Sequence, residues 1–331
     1  MRTLFFVVLA ACNKTSGETP DIPGGDTGDA VVLSCEESEP VYVEFEDVLQ
    51  DPEADYLEFE DWGVFYSIPE NPRAVMFGFH GSNSDLAQTI GIEWTLIYNE
   101  LQRLGIGWIS SESQKRDNAS WDLSRSADNN NDFSFHSRLR DHLIDTTDLG
   151  EDTPVFAMGF SAGGGFTPLF LSLAEDQGWD ARAGLVHNSS PGAEGHPIFY
   201  VANENDDSAR PNSMESAYDN AISSGIDAEY QLIEEHNLDR QELNKIKEFD
   251  LEYSEGLWDE LVEMGLIDAD GGRLVDLDNE VAVFNKYENE SEGRGPARVV
   301  AQLKVAWAMH RVNGLYAHDE ACFLDRQLGD E

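Results

Sequence analysis

Three observations predict an α/β protein built on a mostly parallel sheet with helices on both faces. Between residues 41 and 236, short apolar or β-branched runs alternate with helix-length amphipathic stretches, as crossover connections between parallel strands require. The chain has 331 residues and is 40% hydrophobic, enough to bury the core of one large domain with accessories. The pentapeptide Gly159-Phe160-Ser161-Ala162-Gly163 follows the apolar run Pro154 to Met158 and precedes the helix-like stretch Phe166 to Ala174. A strand therefore turns sharply into a helix at Ser161, and small flanking residues are needed because bulk there would clash with neighbouring backbone.

The elements follow in order. Val41 to Phe45 and Tyr56 to Ser67 alternate with period two and read as antiparallel strands at one edge. Ala74 to Phe79 is the first core strand, followed by a helix over about 85–104 and a strand over 105–111. The polar stretch 112–130 leads to a helix over about 132–144, then to the strand and helix around Ser161. Residues 183–187 and 197–202 are further strands, the second followed by a helix over about 212–224, and 228–233 is the last strand. The remainder loses strand pattern and gains amphipathic helices over 242–249, 255–264 and 296–311. The expected organisation is thus a signal peptide at 1–11, a flexible tether at 12–34, a catalytic domain at 35–236 and a helical extension at 237–331 packed on it. No internal repeat is evident.

The charge is strongly one-sided. Against 65 Asp and Glu stand 21 Lys and Arg, a formal net charge of -44, which repels nucleic-acid phosphates and anionic headgroups and argues against nucleic acid as a partner. An acidic surface of this kind favours solubility, including in salty surroundings.

Arg2 and the apolar run Leu4 to Ala10 have the length of a signal-peptide core rather than of a membrane span. Leu9-Ala10-Ala11-Cys12 resembles the lipobox of bacterial lipoproteins, which implies export and a membrane anchor through lipid on Cys12. Asn13 to Ala30 is rich in Gly, Thr, Asp and Pro and reads as tether. With Cys12 lipidated, Cys35 and Cys322 remain, and in an oxidising compartment an even remainder favours a disulfide between them. No Cys and His spacing resembles a zinc site, and no cofactor is implied.

Serine is a poor nucleophile at neutral pH and needs a histidine to take its proton and an acid to orient that histidine. In the α/β-hydrolase arrangement these follow in the order serine, acid, histidine at the carboxyl ends of strands. After the strand ending at Ala202 comes Asn203-Glu204-Asn205-Asp206-Asp207, and after the last strand comes Glu234-Glu235-His236. Asn203 fills the glycine slot of a G-x-x-D turn, since Asn tolerates a positive φ, which selects Asp206 as acid with Asp207 as the alternative. His236 is the expected base because it directly follows the last strand, with His318 as the alternative. His310 falls inside a predicted helix, as a packed or surface imidazole, and His136, His142, His187 and His196 precede the acid. For the oxyanion, Ala162 supplies one backbone N–H and Ser82, in His80-Gly81-Ser82-Asn83 after the first core strand, supplies the second.

His80-Gly81, the sequence Gly159-Phe160-Ser161-Ala162-Gly163-Gly164 and the acid-to-histidine order resemble the α/β-hydrolase superfamily. The G-x-S-A-G-G form and the acidic, aromatic segment Asn131-Asp132-Phe133-Ser134-Phe135 resemble its secreted branch of polyhydroxybutyrate depolymerases and feruloyl or acetylxylan esterases. The resemblance covers about residues 60 to 236 and implies an exported serine hydrolase that cleaves small or polymeric carboxylic esters through an acyl-enzyme. Two other readings use the same fold: a catalytically silent surface binding protein, and a peptidase. Trp121, in the long polar loop, is a candidate to stack on a substrate ring, or a packing residue. Asp268-Ala269-Asp270-Gly271-Gly272 departs from the calcium-loop spacing and reads as a turn.

Overall fold

The computed structural model describes residue 35 and residues 54–114, 120–244, 246, 249, 251–277, 280–290 and 295–329. By its internal contacts the chain divides into residues 1–37 and residues 38–331, and the sheet, helices and candidate site all belong to the second part. The leader-like run, Cys12, the tether and the expected strand at 41–45 lie outside the described residues.

Eight strands form one sheet in the order β1-β2-β4-β3-β5-β6-β7-β8. They are β1 (Asp55–Phe59), β2 (Trp62–Ser67), β3 (Ala74–Phe79), β4 (Ile106–Ser111), β5 (Val155–Phe160), β6 (Ala181–His187), β7 (Ile198–Asn203) and β8 (Ala228–Ile233). β2 runs antiparallel to both β1 and β4, and every other neighbouring pair is parallel. The run expected as one edge strand, 56–67, is therefore a hairpin. Its two turn residues, Glu60 at φ 51° and Asp61 at φ 66°, are both left-handed, the condition of a type I′ turn whose twist matches the strands.

Alternate residues of each buried strand face opposite sides. Val75, Phe77 and Phe79 of β3 pack with α2 (Asn131–Thr146), α3 (Ala162–Asp176) and α4 (Pro211–Ser223). Ala74 and Met76 pack on the other side with α1 (Ile92–Arg103) and α9 (Ala317–Leu328). Phe77, Phe79, Phe156 and Phe166 are fully buried, each worth roughly 1.5–3 kcal/mol in apolar transfer. The helix expected over 85–104 is interrupted at Gly91, with a 3-10 turn over Leu86–Ile90 before α1.

After β8 the chain forms α5 (Arg240–Asn244), α6 (Leu251–Glu263), α7 (Glu280–Glu290) and α8 (Pro296–Ala306). Their buried residues, among them Leu243, Leu257, Leu261, Tyr287 and Leu303, make a third cluster of their own. Ala308, Val312, Leu315, Phe323 and Leu324 instead join the core beneath the sheet. The expected extension at 237–331 is thus divided: a helical module is inserted after β8, and the chain then returns to complete the α/β core with α9. Cys322 on α9 is a disulfide cysteine, as is Cys35.

Candidate active site

β5 ends at Phe160 and α3 begins at Ala162, so the whole strand-to-helix turn falls on Ser161, held at φ 54° and ψ -113°. A non-glycine residue there is strained by about 1–3 kcal/mol and persists only where the surroundings fix it. Its N–H donates to His187 O at 2.9 Å and its C=O accepts from Gly165 N at 3.0 Å. A Cβ on Gly163 would stand 2.1 Å from Phe79 O, and one on Gly159 2.2 Å from the backbone of Gly163. Glycine at both positions is a steric requirement, and the two glycines let the elbow close against β3. This turn, on a sheet with this strand order and an antiparallel second strand, defines the α/β-hydrolase fold.

The histidine that meets Ser161 is His310. Its Nε2 lies 3.0 Å from Ser161 Oγ, and its Nδ1 lies 2.6 Å from Asp206 Oδ2. A carboxylate only accepts, so Nδ1 carries the proton and Nε2 is free to accept from the serine hydroxyl. Asp206 is 2% exposed, and its other oxygen accepts from Ser208 N at 2.8 Å and Ala209 N at 2.9 Å. Both carboxylate oxygens are thereby fixed. Asp207, the alternative acid, is exposed.

His236 is not at this site. Its Nε2 lies 3.1 Å from Glu242 Oε1, at the start of the helical module, and its backbone N–H donates to Ala306 O at 2.9 Å. The inserted module lies between His236 and His310, so the first histidine after the last strand is not the one that arrives at the serine. His318 is buried on α9, with Nδ1 3.1 Å from Glu100 Oε2 and Nε2 3.5 Å from Cys322 Sγ. Neither candidate faces Ser161.

His310 was hidden because the helical pattern over 296–311 runs on through it, whereas α8 stops at Ala306. Ala308 takes φ 48°, Met309 N–H reaches back to Lys304 O at 2.9 Å, and Ala308 N–H reaches Val305 O at 3.0 Å. That pair of bonds is a Schellman ending, ordinarily marked by glycine and here built on alanine. Between Ala306 and His310 the sequence has no glycine or proline to mark the stop, and the turn dipeptide Asn313-Gly314 comes only beyond it.

Around the expected oxyanion loop, Ala162 is the first residue of α3, so its N–H has no acceptor within the helix. Ser82 is exposed on the turn after β3. His80 fixes that turn from below: Ser113 N–H donates to Nε2 at 3.1 Å, so Nδ1 carries the proton and donates to Gly81 O at 2.8 Å. Burial pushes the His80 pKa down, which keeps the ring neutral as these bonds require. Gly81 N–H donates to Gln88 Oε1 at 2.7 Å.

Trp121 does not offer a stacking face. It is 2% exposed, lies parallel to Phe166 with ring centroids 5.3 Å apart, and donates its indole N–H to His80 O at 2.7 Å. Of the two roles open to it, it takes packing, with an added bond that holds the His80 turn. Its loop is closed by side chains at the start of α2. Asp132 accepts Gln114 N at 2.6 Å and Asp122 N at 2.5 Å, and Asn130 Nδ2 donates to the carbonyls of Asp122 and Ser124, each at 2.8 Å. Asp268 Oδ1 accepts from Asp270 N at 2.9 Å and Gly272 N at 2.8 Å, a turn.

No protein-family model and no curated protein matches the chain. It is similar to a carboxylesterase from Mesorhizobium loti, at 12% identity and TM-score 0.39 over 55% of this chain and 90% of that one. It is similar to Est1E from Butyrivibrio proteoclasticus, solved with ferulic acid bound, at 9% identity and TM-score 0.38 over 54% of this chain and 89% of that one. It is also similar to an acylaminoacyl peptidase from Pyrococcus horikoshii, at 12% identity and TM-score 0.41 over 57% of this chain and 38% of that one. The fold class stands on the strand order and the elbow, not on these likenesses.

Proposed function

We propose that the protein is a serine hydrolase that cleaves carboxylic esters through an acyl-enzyme, with Ser161 as nucleophile, His310 as base and Asp206 as its orienting acid. One observation carries this reading: a single imidazole bridges the serine hydroxyl at the elbow and a buried carboxylate, in the tautomer that general-base catalysis needs. Ser161 Oγ attacks the ester carbonyl while its proton passes to His310 Nε2. The negative charge developing on the carbonyl oxygen is received by the N–H groups of Ala162 and Ser82. Collapse of the tetrahedral intermediate breaks the acyl–oxygen bond, and the proton on His310 leaves with the alcohol. Water, deprotonated by the same nitrogen, then attacks the acyl-serine; the acyl–Oγ bond breaks, the carboxylic acid is released, and the proton on His310 returns to Ser161 Oγ.

The Leu4 to Ala10 run and the Leu9-Ala10-Ala11-Cys12 sequence support export and lipid attachment at Cys12 as part of the same proposal. Hydrolysis of short p-nitrophenyl esters tests the chemistry. Turnover is expected in the native chain and a loss of about 10³-fold or more in Ser161→Ala, as in other triads with a member removed. A folded native chain without turnover on acetyl to octanoyl esters contradicts the reading. Metabolic labelling with a fatty-acid probe, lost in Cys12→Ala, tests the anchor.

A further inference from the structure

His310 lies on the connection between α8 and α9, outside regular structure, where no ladder of backbone bonds holds it. Such segments open locally at low cost, yet a general base must keep its nitrogen within hydrogen-bond reach of the nucleophile. Two buried carboxamides meet this requirement. Asn203, the last residue of β7 and fully buried, donates from Nδ2 to Met309 O and, at 2.8 Å, to Arg311 O, the carbonyls on either side of His310. Both acceptors are carbonyl oxygens, so the group facing them must be the NH2. Asn188, just beyond β6 and 1% exposed, donates from Nδ2 to Arg311 O at 2.6 Å. Its own Oδ1 accepts Asn203 N–H at 3.1 Å. The two amides therefore run from the ends of two adjacent parallel strands to the base, and Arg311 O is held twice.

We infer that Asn203 and Asn188 are positioning residues for His310, fixing the carbonyls of the residue before it and the residue after it so that the imidazole is aimed at Ser161. The inference rests on the proposed serine-hydrolase reading, and it assigns Asn203 a purpose different from the one its glycine slot suggested. Asn203 carries no left-handed backbone; the position uses its side chain. At Asn203 an aliphatic residue of similar size keeps the volume and removes the donor group, so the base loses its bearing with no change of backbone region; Asn188, at φ 49°, tolerates only a residue that keeps the left-handed conformation, such as glycine. Misplacement of a reacting group by about 1 Å costs on the order of 10²-fold in rate.

The test compares native chain, Asn203→Leu and Asn188→Gly, which keeps the left-handed backbone of φ 49°, in two measurements: steady-state hydrolysis of p-nitrophenyl butyrate, and the low-field proton resonance of the His310 Nδ1–H bonded to Asp206. The expected result is a fall in kcat of about 10²-fold for Asn203→Leu and less for Asn188→Gly, KM within threefold of native, and a broadened or lost resonance. Asn203→Ser, which can keep one donor, recovers part of both signals and takes the place of the leucine variant should that one fail to fold. Variants that fold and retain native kcat with an unchanged resonance overturn the inference, as does a change confined to KM. A native chain that hydrolyses no ester defeats the serine-hydrolase reading by itself, and the resonance comparison then decides the clamp alone.

Discussion

At the scale of single residues, adjacent or equivalent side chains are separated by what each can reach. Asp206 and Asp207 are neighbours, but Asp206 is buried with both oxygens engaged while Asp207 faces solvent. Asp206→Asn is expected to lower kcat by about 10⁴-fold, because the amide no longer holds the imidazole in the productive tautomer. Asp207→Asn is expected to stay within twofold of native, and p-nitrophenyl ester kinetics on the two variants distinguish them. Ser161 and Asp206 were legible because each is tied to a local turn motif, and the structure brings both to His310. The sequence was misleading at Asn203, where the turn argument used a positive φ that the residue does not take, while its carboxamide bonds Met309 O and Arg311 O. Trp121 was ambiguous in sequence because burial of a loop indole depends on partners far along the chain, Phe166 and the His80 carbonyl.

At the scale of elements, the core strands and their crossover helices were legible because each carries its own hydrophobic period. Two boundaries were not. The β1–β2 turn has no glycine, only Glu60 and Asp61 in left-handed conformation, and the α8 ending uses Ala308 where glycine is usual. Both stops exist because tertiary contacts tolerate the local strain: Asn205 N–H, for instance, donates to Ala308 O at 2.9 Å. The elbow is the opposite case, a local rule with no slack. Gly163→Ala places a methyl carbon against Phe79 O, so β3 or α3 must shift. A destabilisation of about 1–3 kcal/mol in urea unfolding is expected, with ester turnover falling as the elbow moves. Native stability and turnover in that variant would show that the turn is less closely packed than described.

At the scale of the molecule, the helical module between β8 and His310 separates His236 from the histidine that reaches Ser161. It was visible in sequence as a change from strand to helix pattern, but its being an insertion was not, because only packing tells that α9 returns to the sheet core. The core also sets a pH limit. His136 is 1% exposed, its pKa pushed down to about 4 by burial, with Nδ1 bonded to Asp132 O and Nε2 to Ser111 Oγ. The folded value lies below the ordinary 6.5, so the unfolded chain binds the extra proton as pH falls from about 6.5 towards 4, and stability is lost across that window. Between pH 7.5 and 4.5 this single group should remove about 2–3 kcal/mol, and His136→Gln should show a correspondingly shallower decline in urea unfolding. The central claim, that Ser161 is activated by His310 through the returning segment, is tested most directly by fluorophosphonate labelling followed by peptide mass mapping. The account predicts an adduct on Ser161 in the native chain and in His236→Gln, and its absence or extreme slowing in His310→Gln. Undiminished labelling of His310→Gln, or its loss in a folded His236→Gln, would contradict it.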